Sequence, residues 1–301
     1  HFGLYTEIIQ AISELGFENP TPIQSKTIPH LLSTDQDLIA SAQTGTGKTA
    51  AFGLPSIHLT NIDDKSTQTL VLCTTRELCV QIAKDIGDYS KYMKGINILA
   101  VYGGASIQPQ LKSLKKGAQI VIGTPGRTKD LIKRKKLKLN NISRVVLDEA
   151  DEMLSALKEE VDIIIKDIPK SRRTLLFTAT MSGAIKQLVQ NYMSKQVLHI
   201  EADMATMRHQ VIAHQYVVVE PIEKLEVLLH FLNSKEGGRG IIFCKAKDAV
   251  NKLAKNLAIN KFSSGAIHGS LSRGIRDRIM GQFREGYIDI LVATDLAARG
   301  I

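Results

Sequence analysis

Residues 38–49 read Leu-Ile-Ala-Ser-Ala-Gln-Thr-Gly-Thr-Gly-Lys-Thr, and the fold class follows from them. Leu38–Ala40 has the apolar character of a buried strand. Ala42, Gln43, Thr44, Gly45, Thr46, Gly47, Lys48 and Thr49 follow it, and a helical stretch follows the lysine. Glycines let the backbone aim N–H groups at phosphate oxygens, and the helix N-terminus adds positive potential. In such a loop Lys48 reaches the β- and γ-phosphates of a nucleotide, and the Thr49 hydroxyl binds Mg²⁺. Ala42 stands where the general motif has glycine, which works only while its φ stays negative.

On either side of this loop, short apolar runs alternate with longer amphipathic ones. Leu38–Ala40, Thr69–Cys73, Ile98–Val101, Ile120–Ile122, Val145–Leu147 and Leu175–Phe177 read as strands. Arg76–Tyr89, Arg127–Arg134 and Gly183–Tyr192 read as helices between them. An opening helix carries Leu4, Ile8, Ile12 and Leu15 on one face and stops at Gly16. This alternation predicts a parallel sheet covered by helices on both faces. The pattern lapses in a polar stretch and then resumes, with strands expected at Tyr216–Val219, Gly240–Phe243, Gly265–Ile267 and Asp289–Ala293. Helices are expected at Leu225–Leu232, Lys247–Leu257 and Arg276–Phe283. The expected organisation is an α/β domain over 1–202, a linker over 203–210 and a second α/β domain over 211–301, incomplete at its C-terminal end.

Asp148-Glu149-Ala150-Asp151 sits at the end of the apolar run Val145–Leu147. Ligands of open parallel sheets bind at that edge. Asp148 is placed to hold Mg²⁺, and Glu149 to orient or deprotonate an attacking water. Glu149, Lys48 and Asp148 are therefore the candidate catalytic residues, with Thr49 and Asp148 as metal ligands.

Bulk composition agrees. Of 301 residues, 44% are apolar and 23% charged, which fits a folded chain. The formal charge of +9, from 39 Lys and Arg against 30 Asp and Glu, favours a polyanionic partner. Aromatic residues are only 5% and Trp is absent, so contacts to a nucleic-acid backbone are expected before base stacking. No apolar run is long enough to span a membrane. Cys73, Cys79 and Cys244 show no metal-ligand spacing and suit reduced thiols, so a cytoplasmic protein is expected.

With these residues in hand, the chain resembles the DEAD-box ATP-dependent RNA helicases along its length, its acidic box being the family's namesake. The resemblance implies two tandem RecA-like P-loop domains, with ATP and Mg²⁺ as the bound groups and RNA as the partner. Phe17 and Pro20-Thr21-Pro22-Ile23-Gln24 resemble the motif that recognises adenine, with Gln24 on the base edge and Phe17 against the ring; the Pro-Thr-Pro run is equally a helix cap. Thr75 and Arg76, Gly103 and Gly104, and Thr124-Pro125-Gly126-Arg127 are similar to the loops that hold the RNA backbone without reading bases. Thr74 stands where that pattern usually has Pro. Thr178-Ala179-Thr180 resembles the motif coupled to the acidic box through Asp151. In the second domain Arg276 and the run Val292–Gly300, through Thr294, resemble further RNA contacts, and His268 is read as structural.

The resemblance also implies closure of the two domains on ATP and RNA, local melting of a short duplex, and reopening after hydrolysis. The arginine-rich motif expected after Gly300 is not in the sequence, and the turn at Ser155-Ala156-Leu157 is shorter than usual. Two other readings stay open: an ATP-gated RNA clamp that does not unwind, and a DNA-directed motor. The run Lys133-Arg134-Lys135-Lys136 with Lys138 is either a solvated face or an extension of the RNA track.

Overall fold

The computed structural model describes residues 2–43, 45–201, 215–234 and 238–294. The chain divides into two compact units, His1–His209 and Gln210–Ile301. The expected linker, 203–210, lies outside the described residues, as do Thr44 and the end of the sequence from Asp295.

The first unit runs α1 (Thr6–Glu14), α2 (Pro22–Ser33), β1 (Asp37–Ser41), α3 (Lys48–His58), β2 (Thr69–Leu72), α4 (Arg76–Tyr89), β3 (Ile98–Val101) and α5 (Gln108–Lys116). It continues with β4 (Ile120–Gly123), α6 (Pro125–Lys133), β5 (Arg144–Leu147), α7 (Ala150–Ala156), α8 (Lys158–Asp167), β6 (Arg173–Thr178), α9 (Gly183–Tyr192) and β7 (Val197–Glu201). Seven parallel strands form one sheet in the order β3-β4-β2-β5-β6-β1-β7. The fold is α/β, as the alternation predicts.

Both faces of this sheet are covered, so the middles of its inner strands are runs of consecutive apolar residues rather than an alternation. Period-2 geometry then splits each strand between two cores. Leu38, Ala40, Val71, Ile120, Ile122, Val146, Leu175 and Phe177 pack under α1 to α4. Ile39, Leu70, Leu72, Val121, Val145, Leu147 and Leu176 pack under α6 to α9.

The opening helix is shorter than its spacing suggests: it seats itself through Ile8 and Ala11, with Leu4 buried just before it and Leu15 exposed just after it. β7 is a strand the alternation did not suggest, because an edge strand buried mainly at Ile200 carries a weak apolar signal. The short turn at Ser155–Leu157 is continuous: Leu157 donates its N–H to Met153 O (2.8 Å), and α8 starts at once.

The second unit has α10 (Lys224–Ser234), β8 (Gly240–Cys244), α11 (Lys247–Ile259), β9 (Ser264–Ile267), α12 (Arg273–Arg284) and β10 (Ile290–Thr294). Its three parallel strands lie in the order β8-β10-β9. The expected strand Tyr216–Val219 is not one. β10 is paired on both sides, the described sheet gives this segment no ladder, and Tyr216 and Val218 are 93% and 88% exposed.

Asp37 ties the first unit together at the start of β1. Its buried carboxylate accepts from Thr174 N–H (2.7 Å) and Ser194 N–H (2.6 Å). Next to it, Arg173 donates to Gln36 O (2.7 Å) and Leu31 O (2.8 Å). Asp37→Ala strands two backbone donors and is expected to cost about 2–4 kcal/mol, seen as a lower urea midpoint. Lys84→Ala, which removes an exposed pair with Asp88 on α4, should leave the urea midpoint nearly unchanged.

Candidate active site

The P-loop leaves the carboxyl end of β1, and the acidic box leaves that of β5. Ala42 avoids the left-handed region, so its departure from glycine is accommodated. Its N–H continues the ladder to Thr178 O (3.0 Å). Gly45 and Gly47 have φ of 79° and 88°, where a side chain is strained. At Gly47 a Cβ would also lie 2.4 Å from Gln24 Nε2 and displace that amide.

The loop is tied to α2. Thr21 Oγ1 donates to Thr46 O (2.9 Å), Gln24 Nε2 to Gly47 O (3.1 Å), and Thr46 Oγ1 to Gln43 O (2.8 Å). Gln24 Oε1 also accepts from Thr21 N–H (3.0 Å), which is the helix cap expected of Pro-Thr-Pro. Both ends of the Gln24 amide thus hold the chain's own backbone. One Nε2 hydrogen and one Oε1 lone pair remain for a ligand.

Lys48, 7% exposed, turns back to donate to Ala42 O (3.3 Å). Its ammonium lies 3.9 Å from Asp148 Oδ1. Asp148 is 4% exposed. Burial pushes its carboxyl up to about 6; Lys48 pulls it down, and Glu149 pushes it up again. Glu149 occupies the left-handed region, at φ 51° and ψ 48°, directly before α7. A non-glycine residue held there stores strain, as functional sites often do. Its N–H donates to Asp148 Oδ1 (3.0 Å), and its Oε2 accepts from the Thr74 hydroxyl (2.8 Å). Asp151 Oδ2 accepts from both Thr180 N–H (3.0 Å) and Thr180 Oγ1 (2.8 Å). Thr178 Oγ1 donates to Thr180 O (2.8 Å). The acidic box and the loop after β6 are therefore hydrogen-bonded to each other.

The remaining loops of this edge follow β2, β3 and β4. Thr75 caps α4 by accepting from Leu78 N–H (3.2 Å). The Arg76 guanidinium sits 4.9 Å from the Tyr102 ring centre. Gly103, Gly104 and Gly126 border open space. Thr124 and Pro125 start α6. Arg127 donates to Gln110 Oε1 (2.9 Å) and Ala105 O (3.0 Å), so part of its fork braces the glycine loop. Arg276 and Thr294 lie in the second unit, on α12 and at the end of β10. There His268 pairs through Nε2 with Asn251 Oδ1 (3.1 Å), a structural contact.

A largely apolar cavity of about 220 Å³ is lined among others by Phe2, Ile12, Phe17, Pro20 and Gln24, and Gln24 links it to the P-loop. Phe17 is 39% exposed and meets Tyr89 edge-on at 5.8 Å. The sequence reading missed Phe2, and it missed the hydroxyls of Thr21 and Thr74 and the Gln110 amide as braces. No local spacing marks them, because each acts across the fold.

Residues 21–188 match the family model described as DEAD/DEAH box helicase, and 223–301 match that of the helicase conserved C-terminal domain. The chain is 42% identical over 301 residues to the ATP-dependent RNA helicase DeaD of Escherichia coli, covering 99% of this chain and 47% of that protein. It is 43% identical over 302 residues to CshA of Listeria monocytogenes, covering 100% of this chain and 57% of that one. The chain thus spans about half the length of the curated relatives it matches. Among solved structures, Saccharomyces cerevisiae Dbp5 bound to RNA and ADP BeF3 aligns with TM-score 0.86 and 31% identity, over 100% of this chain and 76% of that one. A DEAD box protein of Methanococcus jannaschii aligns with TM-score 0.64 and 41% identity, over 99% and 80%.

The raised Asp148 carboxyl has a consequence for stability. Between its ordinary value of 3.8 and about 6, the folded state holds a proton that the unfolded state has released. Stability therefore falls as pH rises through that window, by about 3 kcal/mol in all. Asp148→Asn should raise the urea midpoint at pH 7 and leave it unchanged below pH 4.

Proposed function

The chain belongs to the DEAD/DEAH box helicase family, and on that basis we propose that it couples ATP binding and hydrolysis to RNA held by its backbone, locally separating short duplexes. The observation that carries this reading is the bonded run at one sheet edge. Lys48 stands beside Asp148, Glu149 follows in a strained conformation, and Asp151 is tied to Thr180.

In this proposal the P-loop N–H groups and Lys48 hold the β- and γ-phosphates. The cavity beside Gln24 and Phe17 takes the adenine, whose edge uses the two remaining hydrogen-bonding positions of the amide. Asp148 and the Thr49 hydroxyl offer hard oxygen donors. Among the described residues no cluster of three potential ligands exists. That pattern fits Mg²⁺, which keeps phosphate and water oxygens for its other positions. When bound, it would neutralise phosphate charge. It would also offset, together with Lys48, the charge of the buried Asp148 carboxylate. Glu149 keeps Oε1 for the attacking water while Thr74 fixes Oε2. The hydroxyl, glycine and guanidinium groups from Thr75 to Arg127, with Arg276 and Thr294 of the second unit, grip RNA phosphates. Asp151, Thr178 and Thr180 link nucleotide and RNA sites.

A cytoplasmic setting belongs to the same proposal. The three cysteines are free, as a reducing compartment keeps them. Among the described residues no helix is long and apolar enough to cross a membrane.

The test is RNA-stimulated ATP hydrolysis beside strand separation. Glu149→Gln should lose about 10²-fold or more in kcat while still binding ATP. Equal activity in both proteins would reject the role given to Glu149. Stimulated hydrolysis without strand separation would leave an RNA clamp. Thr74→Val should lower kcat roughly tenfold and leave the KM for ATP unchanged, since only the hold on Glu149 is removed.

A further inference from the structure

We propose that a lysine-lined groove at the opposite edge of the first unit's sheet is a second binding site for the phosphate backbone of RNA. The groove has a volume of about 820 Å³. Lys112, Lys115 and Lys116 of α5 form one wall, and Lys135, Lys136 and Lys138, in the loop after α6, form the other. Lys65 joins them from the segment before β2. All seven are exposed. The amino ends of β2 and β4 are paired beside it, Thr69 opposite Ile120. Their carboxyl ends lead to Thr75 and Thr124. The groove and the motif loops are therefore separated by the length of a four-residue strand, about 13 Å.

The site is built rather than scattered. Lys136 and Leu137 both donate their N–H groups to Leu131 O, at 2.9 and 3.2 Å, and Lys135 donates to Ile132 O at 2.8 Å. This turn buries Leu137 and leaves the lysines around it outside. It also holds Lys135 at φ 54°, where glycine is the unstrained residue. Across the groove, Gly117 lets the end of α5 press on Lys65: a Cβ there would lie 2.8 Å from both Lys65 Cβ and Lys65 O.

No acidic side chain lines the groove. Asp64, next to Lys65, accepts instead from Ser66 N–H and Oγ, both at 2.8 Å. Among the described residues no carboxylate pairs with the lysines of either wall. Lysines lining one groove with no acidic side chain among them raise the local affinity for a polyanion.

The lining also selects the polyanion. Besides lysine it offers Ser, Thr, Gln, Gly, Ala and Leu, with no aromatic, Met or Arg anchor of the kind protein interfaces concentrate. Ammonium groups act as point charges and suit a phosphate backbone without reading sequence. The assignment to RNA rests on the function proposed above. A strand engaged at the motif loops meets the groove at high effective concentration, so two weak sites add to one firm hold.

The experiment compares two single-stranded RNAs with the full chain, about 8 and about 30 nucleotides long, the shorter filling one site only. K112E/K115E/K116E should weaken the long RNA at least tenfold. It should also flatten its salt dependence by about 2 in log–log slope, at about 0.7 for each phosphate no longer held. Binding of the short RNA, and the hydrolysis it stimulates, should not change. K135Q/K136Q/K138Q, which adds no opposite charge, should act in the same direction and guard against misfolding.

Unchanged binding of the long RNA, or equal weakening for both lengths, would overturn the groove alone. A wild-type chain that binds neither RNA would remove the RNA reading and the groove's ligand with it. Lysine-dependent binding of polyglutamate, with the long RNA unaffected, would assign the groove to an acidic protein and overturn the proposal.

Discussion

Burial of the parallel sheet on both faces governs the architecture of the first unit. A parallel strand cannot return by a hairpin, so each connection crosses over through a helix. Helices then cover Leu38 and Ala40 on one side and Ile39 on the other, and every strand is split in this way. A consequence follows for chemistry. The loops after β1, β2, β3, β4, β5 and β6 all emerge at the same edge, so residues from Gln43 to Thr180, far apart in sequence, are brought to one surface.

That edge carries the costs that the core offsets. Asp148 is buried, and although Lys48 and the Glu149 N–H favour its charged form, its carboxyl rises to about 6. Glu149 is held in the left-handed region, and Gly47 turns at φ 88°, where a side chain is strained and would displace the Gln24 amide. Each feature lowers stability in the isolated chain. Each also leaves a group ready for charge or for a phosphate, as expected where local rules are broken for function. The departures from the family pattern fit the same logic. Ala42 keeps negative φ. Thr74, in place of Pro, adds a hydroxyl that reaches the Glu149 carboxylate.

The two edges of the sheet differ in character. The carboxyl edge mixes Lys48 and Arg127 with Asp148, Glu149 and Asp151, and its polar groups are largely engaged with one another. The amino edge, at the groove, gathers lysines that have no acidic partner among the described residues. Part of the excess of 39 basic over 30 acidic residues is therefore concentrated in one place. The run Lys133–Lys138 by itself leaves a solvated face and an extension of the RNA track both open. Its meaning changes once α5 is seen to stand across from it.

Fold class, and the residues that the carboxyl edge of the sheet gathers, were legible in the sequence alone. Strand–glycine loop–Lys48–helix and strand–Asp148-Glu149 are local patterns, written in consecutive residues by backbone geometry and apolar periodicity. Most strands of the first unit were legible for the same reason, since buried parallel strands are continuous apolar runs. The reading failed at Tyr216–Val219 and at β7, because an edge or unpaired segment depends on whether a neighbour offers a ladder, and no local composition records that. How the site's groups are braced emerged only from the tertiary arrangement. The Thr74 hydroxyl on Glu149, Gln110 on Arg127, Thr21 on the P-loop and the two lysine walls are contacts between residues 17 to 75 positions apart or between separate elements. Such pairs carry no periodic signal and exist only once the sheet has fixed the distances between its loops.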